Sequence, residues 1–215
     1  MTNIEEQMES LRPDNPTSVA TWLTLGDGNI TLRGRQKNAF FQLTHRYENE
    51  DYVLYKQSLL KQITDVQVAL RKRSYGYEWQ LWTKCHPKFN KIRLNTYLNG
   101  KRVIYSHSIK IMTPLCLALL YQDDGRYSLA KSTISISKPT FSKTELEYLA
   151  KGIVDKFGII FRVRRCCVLK DGTIGHELGL RYSDRDKFFN IIEPYIVPSM
   201  LYKVGKGSTS SEVVI

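Results

Sequence analysis

Two aspartates recur at matching places in the sequence and could do chemistry together. Asp27 and Asp124 each close a short apolar segment, and each is followed by a glycine, Gly28 or Gly125. A carboxylate at the C-terminal end of a helix faces the negative end of the helix dipole, which costs about 0.3 to 1 kcal/mol. Their repetition at an unfavourable position favours a functional role. Two helix ends with incidental acids are the alternative.

The two apolar segments could bring these acids together. If the segments are helices that pack side by side, the small residues Gly26, Ala20 and Ala118 would allow a close approach, and the matching ends would place Asp27 beside Asp124. Two neighbouring carboxylates repel each other, and a bound divalent cation relieves the repulsion.

Magnesium is the cation that best fits a set of oxygen ligands, and manganese could replace it. We expect Mg²⁺ (or Mn²⁺) to bind Asp27 and Asp124, with the backbone carbonyls of Gly26 and Asp123 completing the site. A metal held between carboxylates and a phosphate lowers the pKa of an attacking water and stabilises the leaving oxygen. The predicted chemistry is phosphodiester hydrolysis, with one acid for each strand and hence a double-strand cut.

Other chemistries have little support in the sequence. The cysteines show no CxxC spacing and the histidines form no HExxH or HxH pattern, which disfavours a zinc site and a disulfide framework. These residues are Cys85, Cys116, Cys166, Cys167, His45, His86, His107 and His176. We expect a reducing compartment, no signal peptide and no membrane span, since no apolar run reaches the ~18 residues that a span needs. Source and compartment stay open, whether organelle, bacterium or phage.

The charge of the chain indicates a polyanionic partner. The sequence contains 32 Lys and Arg against 21 Asp and Glu, which gives a net charge of +11. An excess of this size, accompanied by many tyrosines, is typical of a protein that binds nucleic acid. A solvated basic surface is the alternative.

The sequence repeats one pattern of elements twice. Asn15-Pro16 and Thr113-Pro114 each provide a capping residue and a first-turn proline before an apolar helix. An Asp-Gly pair closes each helix, and we expect Gly125 to adopt the left-handed conformation that ends many helices.

Each half then continues with two strands, a helix, two strands and a final helix. This order predicts an α+β fold of two pseudo-symmetric αββαββα halves, whose antiparallel sheets form a DNA-binding saddle. We place the halves at residues 15–110 and 111–204, preceded by an N-terminal extension (1–14) and followed by a flexible polar tail (205–215). Alternation places Ile134 and Ile136 on the core side of a strand.

Basic and aromatic residues on the predicted strands are candidates for contact with double-stranded DNA, through base edges in the major groove or through phosphates. Arg33, Arg35 and Lys37 would share a strand face with Thr31. The full set is Arg33, Arg35, Lys37, Arg71, Arg73, Tyr75, Tyr77, Lys131, Lys138, Arg162, Arg164, Lys170 and His176.

The two segments ATWLTLGDG (20–28) and LALLYQDDG (117–125) resemble the signature helices of the LAGLIDADG homing endonuclease family, in the form that carries both motifs on one chain. The TP before the second segment, the following FSKTELEYLAKGIVDKF and the C-terminal IIEPYIVPSMLYK are also similar to the family pattern. The resemblance covers about residues 15 to 204.

The resemblance implies metal-dependent cleavage of a long DNA sequence, with Asp27 and Asp124 at the positions of the metal-binding acids. The pairing of the two helices makes a monomer the expected state, because the second half already occupies a partner's place. The resemblance also implies that Lys203 lies near the active site, with Lys101 or Arg102 as its counterpart in the first half. The chain has Lys138-Pro139 where several family members carry a glutamine, a departure that affects the second acid's surroundings.

Two other functions on the same scaffold are alternatives, and relatives in this family have taken on the first of them. One is an RNA-binding maturase that helps an intron fold, which would make intron RNA the partner. The other is a DNA-binding regulator that no longer cleaves. Both can tolerate the loss of one acid, so the presence of both Asp27 and Asp124 favours the enzyme.

Overall fold

The computed structural model describes residues 14–74 and 76–206. Tyr75, which the sequence predicts at a DNA contact, lies outside the described residues, as do residues 1–13 of the predicted extension and 207–215 of the predicted tail. None of the helices in the described ranges has the length and apolar character that crossing a bilayer requires.

The helices and strands follow the predicted order in both halves. The first half contains α1 (Pro16–Leu25), β1 (Asn29–Thr31), β2 (Phe40–Arg46), α2 (Glu50–Leu60), β3 (Val66–Arg73), β4 (Gly76–Thr83) and α3 (Pro87–Leu94). A small ribbon, β5 (Tyr97–Leu98) with β6 (Lys101–Arg102), and the short helix α4 (Ser106–Lys110) connect the halves. The second half contains α5 (Pro114–Asp124), β7 (Gly125–Ser128), β8 (Thr133–Ser137), α6 (Lys143–Phe157), β9 (Phe161–Val168), β10 (Ile174–Leu180) and α7 (Arg185–Ile192).

Two four-stranded antiparallel sheets have the same strand order. The first runs β1-β2-β4-β3 and the second runs β7-β8-β10-β9. The predicted α+β class with two pseudo-symmetric halves is therefore confirmed. Ile134 and Ile136 are buried in β8, as the alternation predicts.

The predicted caps fix the starts of α1 and α5. Asn15 Oδ1 accepts a hydrogen bond from the Thr17 amide at 2.9 Å, and Thr113 Oγ1 accepts one from the Cys116 amide at 3.2 Å. Each helix then begins on a proline, which lacks the amide that a first turn would leave unpaired.

The end of α5 differs from the prediction. Gly125 has φ −74° and ψ 149°, which is extended rather than left-handed. A Cβ at Gly125 would lie 2.2 Å from both the Tyr121 carbonyl oxygen and the Tyr121 ring. The glycine is needed because the chain turns directly from α5 into β7 against this tyrosine, so its role is close approach.

The helices α1 and α5 each contribute to the core of the opposite half. Trp22 and Leu25 of α1 pack in the cluster that contains the second sheet. Leu115 and Leu119 of α5 pack in the cluster that contains Phe41 and the first sheet. Each half is therefore completed by a helix of the other, which fixes the relative position of the two helix ends.

The first predicted strand is shorter than its alternation suggests. β1 ends at Thr31, and Arg33, Arg35 and Lys37 lie in the exposed connection to β2. The prediction that these residues share a strand face with Thr31 is wrong. Lys131 and Lys170 are also in exposed turns between strands.

A leucine substitution measures how far the halves depend on each other. Leu119 is fully buried in the core of the first half but belongs to the second. We expect Leu119→Ala to lower the free energy of unfolding by about 2 to 5 kcal/mol, because it leaves a cavity. The matched control is Leu129→Ala, since Leu129 is 71% exposed, and we expect a change within about 0.5 kcal/mol. Urea denaturation followed by circular dichroism measures both. Two separate transitions would contradict the shared core.

Candidate functional site

The C-terminal ends of α1 and α5 meet and place the predicted acids in one site. The Asp27 amide donates a hydrogen bond to Asp123 Oδ2 at 3.0 Å. Burial raises the pKa of Asp27 to about 7, with the negative charges of Asp123 and Asp124 adding to the effect. Burial also raises the pKa of Asp124. The acids therefore destabilise each other in their charged forms, which is the condition that a divalent cation relieves.

Lys138 lies inside this site. Its ammonium forms an ion pair with Asp124 Oδ2 and donates to the Leu25 carbonyl at 2.6 Å. The side chain is 6% exposed, so it cannot extend to a DNA groove, and the prediction of a groove contact is wrong. The lysine instead joins the end of β8 in the second half to the end of α1 in the first.

Two further cations bind the carbonyls at the helix ends. Arg102 Nη1 donates to the carbonyls of Thr24, at 3.1 Å, and of Gly26 and Gly28. Lys203 Nζ donates to the Gln122 carbonyl at 2.5 Å and to the Asp123 carbonyl at 3.3 Å. A cation at a helix C-terminus interacts favourably with the dipole. Each helix end thus carries an acid and a cation.

These contacts bear on three sequence predictions. Of the two first-half candidates, the structure brings Arg102 to the site, while Lys101 is exposed on β6. The structure does not support the Gly26 carbonyl as a metal ligand, because the guanidinium of Arg102 already binds it and would repel a metal ion. The Asp123 carbonyl likewise accepts from Lys203.

Sequence reasoning missed three site residues, Tyr52, Lys56 and His45. Asp123 Oδ1 accepts from the Tyr52 hydroxyl at 2.7 Å and from Lys56 Nζ at 2.5 Å. Lys56 Nζ also lies 2.8 Å from His45 Nε2. A signal existed, because Tyr52, Lys56 and Leu60 lie on the buried face of α2 at helical spacing, and a lysine at such a position requires a partner.

The buried ammonium of Lys56 lowers the pKa values of the groups next to it. Burial alone would raise the pKa of Asp123, but the charge of Lys56 and its hydrogen bond lower it to about 2. Burial and the same ammonium lower the pKa of His45 to about 3. Burial also lowers the pKa of Lys203, although the three aspartates oppose this shift.

Arginines cover the outer face of both sheets. Arg71 on β3 and Arg162 on β9 are exposed and point away from the core, by alternation with Val68 and Phe161. Arg73 and Arg164 also lie on this face, where they form ion pairs with Glu78 and Glu177.

Two predicted DNA contacts lie on the other face of the sheets. Tyr77 shares a face of β4 with the buried Leu81, four residues along, and its ring lies 6.4 Å from that of Tyr47. His176 shares a face of β10 with the buried Leu178, two residues along, and this is the face that packs on the core. The predictions placed both residues on the groove side, which the period of two contradicts.

The chain matches the model of one protein family, and it is similar to several individual proteins. The model of the LAGLIDADG DNA endonuclease family matches residues 17–168. The DNA endonuclease I-ChuI of Chlamydomonas applanata is 24% identical over 200 residues, covering 86% of this chain and 91% of that protein. The cytochrome b mRNA maturase bI2 of Debaryomyces hansenii is 30% identical over 192 residues, covering 84% of this chain and 70% of that protein.

Other relatives are longer proteins. The protein RecA of Mycolicibacterium chitae is 26% identical over 220 residues, which is 94% of this chain and 50% of that protein. The chain therefore spans 30% to 50% of the length of the RecA relatives that it matches.

Solved structures share the fold. The homing endonuclease I-WcaI, bound to its DNA recognition sequence, superimposes with a TM-score of 0.73 at 22% identity, covering 95% of this chain and 92% of that chain. A variant of I-DmoI, in complex with its target DNA in the presence of magnesium, gives a TM-score of 0.55 at 15% identity, covering 84% of this chain and 98% of that chain. At these identities the likeness establishes the fold.

The raised pKa of Asp27 predicts a stability cost at neutral pH. An acid whose folded-state pKa is raised loses stability as pH rises from its unfolded value, about 4, to its folded value, about 7. The shift corresponds to about 4 kcal/mol before screening, and the 40% exposure of the side chain reduces it to about 1 to 3 kcal/mol. We therefore expect Asp27→Asn to raise the free energy of unfolding at pH 8 by that amount and to have little effect at pH 4, measured by urea denaturation.

Asp123→Asn is the matched control and should act in the opposite direction. Its carboxylate has a lowered pKa and pairs with a fully buried ammonium, so the substitution should destabilise the protein at pH 8 by about 3 to 5 kcal/mol. Equal effects of both substitutions would contradict the different electrostatic roles of the two acids.

Proposed function

The chain belongs to the LAGLIDADG DNA endonuclease family, and on this basis we propose that it is a site-specific DNA endonuclease that makes a metal-dependent double-strand break in a long recognition sequence. The observation that carries the proposal is the contact between the ends of the two repeated helices, where the Asp27 amide donates to Asp123 Oδ2 and the charge of Asp124 raises the pKa of Asp27. I-ChuI is itself a DNA endonuclease of similar length.

The site fits a divalent cation by the chemistry of its donors. Asp27 and Asp124 would hold the ion, since oxygen ligands suit Mg²⁺ and Mn²⁺ and the repulsion between the carboxylates favours a bound positive charge. When bound, the ion would stabilise charge on a scissile phosphate and lower the pKa of an attacking water. The I-DmoI complexes with target DNA in the presence of magnesium and with DNA and manganese support this choice of metal.

Lys203 and Arg102 have a supporting role in this proposal. Their contacts with carbonyls at the ends of α5 and α1 hold the two acids in place and add positive charge beside the phosphate position. Lys138 likewise holds Asp124 in place through its ion pair with Oδ2. These cations offset the repulsion between the acids when no metal is present.

The two sheets would provide the DNA contacts. Both outer faces carry exposed arginines, and the net charge of +11 matches a long duplex partner. The exposed basic residues of the connections add to this surface, namely Arg33, Arg35, Lys37, Lys131 and Lys170. A protein with both halves on one chain, at residues 15–110 and 111–204, would act as a monomer because α5 already occupies the place of a partner's helix.

A second candidate function is that of an intron RNA maturase. The observation that favours it is the similarity to the cytochrome b mRNA maturase bI2. The basic sheets would then bind structured RNA through phosphates. The retention of both acids favours cleavage of DNA over this alternative.

Cleavage of a plasmid library of randomised sequence tests the proposal. With Mg²⁺ we expect linear products of defined sequence from the wild-type protein, and a loss of about a hundredfold or more in Asp27→Asn and in Asp124→Asn, because each acid would hold the metal for one strand. Gel analysis with end sequencing measures the products.

Asp65→Asn is the matched control, since Asp65 is exposed and pairs with Lys84 away from the site. We expect it to cleave like the wild-type protein. Tight DNA or RNA binding without any cut, in Mg²⁺ and in Mn²⁺, would exclude the endonuclease and favour the maturase.

Arg71→Ala tests whether the outer face of the first sheet contacts DNA. If Arg71 reads a base, we expect a loss of about 1 to 3 kcal/mol in binding that is confined to one base-pair position. If it contacts a phosphate, binding should weaken for all sequences. The slope of the logarithm of the binding constant against the logarithm of the salt concentration should then become smaller by about one. Fluorescence anisotropy with the selected target measures both. Lys88→Ala, on α3, is the control, and an unchanged affinity of Arg71→Ala would remove this residue from the interface.

A further inference from the structure

Three side chains in the described part of the chain could bind a metal ion next to the predicted site. Asp27, His45 and Asp123 offer ligand atoms that all lie within 4.8 Å of one another. His45 is not one of the metal ligands that the sequence predicts, which are Asp27 and Asp124. Whether this cluster binds a metal depends on which of its lone pairs are free.

Both oxygens of Asp123 already accept hydrogen bonds. Oδ1 accepts from the Tyr52 hydroxyl and from Lys56 Nζ, at 2.7 and 2.5 Å, and Oδ2 accepts from the Asp27 amide at 3.0 Å. The Asp123 side chain is 0% exposed. This carboxylate therefore positions the backbone of Asp27. Oδ2 keeps one lone pair, but the charge of the Lys56 ammonium that pairs with the same carboxylate opposes a metal ion there.

The ring of His45 is fixed by the same lysine. An ammonium has only donors, so at 2.8 Å from Lys56 Nζ the Nε2 atom of His45 must offer its lone pair. The neutral ring then carries its proton on Nδ1, the nitrogen that lies 3.9 Å from Asp27 Oδ2. Neither nitrogen has a free lone pair for a metal.

The space for the Asp123 carboxylate comes from the partner helix. A Cβ at Gly26 would lie 2.1 Å from Asp123 Oδ2, so α1 accommodates the carboxylate only because this residue is a glycine. Among the described residues, the second half has no such buried lysine on the corresponding helix. The buried face of α6, which takes the place of α2 in that half, is formed by Leu146, Leu149, Ala150, Gly152 and Ile153. Lys56 itself is 0% exposed, and its ammonium lies 4.1 Å from the centre of the Tyr52 ring.

We propose that Lys56 is a positioning residue whose buried ammonium serves as a built-in cation, which holds Asp123 and His45 in place and keeps both from acting as metal ligands. The inference rests on the proposed function, because it assigns metal binding to Asp27 and Asp124. Its effect is that Asp123 orients Asp27 and that His45 presents an N–H group to the Asp27 carboxylate.

The tautomer of His45 in the wild-type protein is the first test. Nitrogen-15 NMR of the histidine side chains, with His45 assigned by comparison with His45→Gln, should show a protonated Nδ1 and an unprotonated Nε2. A ring protonated on Nε2 would overturn the proposal, because Lys56 could not then be donating to it. This test requires neither a target DNA nor a variant of Lys56.

The second test is Mn²⁺ binding, measured by electron paramagnetic resonance without DNA. Lys56→Met frees Asp123 and leaves its charge unbalanced, so we expect Mn²⁺ to bind at least about tenfold more tightly. The triple variant Lys56→Met/Asp123→Asn/His45→Gln removes the ammonium and both side chains that it releases, and we expect its Mn²⁺ affinity to lie within about twofold of the wild-type value. Lys88→Met, an exposed lysine on α3, is the control for general loss of charge.

The outcomes separate this proposal from the endonuclease. An unchanged Mn²⁺ affinity in Lys56→Met, or an equal gain in the triple variant, would overturn the role of Lys56. If Lys56→Met does not fold, as judged by circular dichroism, the tautomer of His45 decides. A wild-type protein that cleaves no DNA would reject the proposed function and leave both readouts on Lys56 valid.

Discussion

The repulsion between two carboxylates at the ends of two neighbouring helices is the constraint on which the rest of the structure depends. Asp27 and Asp124 lie at the negative ends of their helix dipoles, the charge of Asp124 raises the pKa of Asp27, and burial raises the pKa of both. The fold offsets this cost with cations drawn from distant parts of the chain, Arg102, Lys138 and Lys203. In the proposed function, a divalent cation would take over at Asp124 the place of the Lys138 ammonium, which pairs with this carboxylate when no metal is present.

The duplicated architecture makes the site, and small differences between the halves make it asymmetric. Each motif helix completes the core of the other half, so the helix ends cannot move apart without opening both cores. At one equivalent position α1 has Gly26 and α5 has Asp123, and the glycine makes room for the acid. A buried lysine is present on α2, whereas α6 has an apolar buried face. The two acids thus have different neighbours although the backbone repeats.

Much of the fold could be predicted because its signals are local. The caps at Asn15 and Thr113, the order of elements and the core side of β8 follow from residue type and spacing. The end of β1 and the faces of Tyr77 and His176 depend on register and strand length, which the sequence specifies weakly. The ion pairs of Lys138 and Lys56 join residues far apart in sequence, so they emerge only from the tertiary packing. The position of Lys56 on the buried face of α2 is a local indication that a buried ion pair is present.

The most direct test of the central claim is anomalous X-ray diffraction from crystals grown with Mn²⁺, collected at the manganese absorption edge. The account predicts an anomalous peak about 2.0 to 2.2 Å from carboxylate oxygens of both Asp27 and Asp124. A peak bound to His45 and Asp123 instead, or one bound to neither acid, would contradict it.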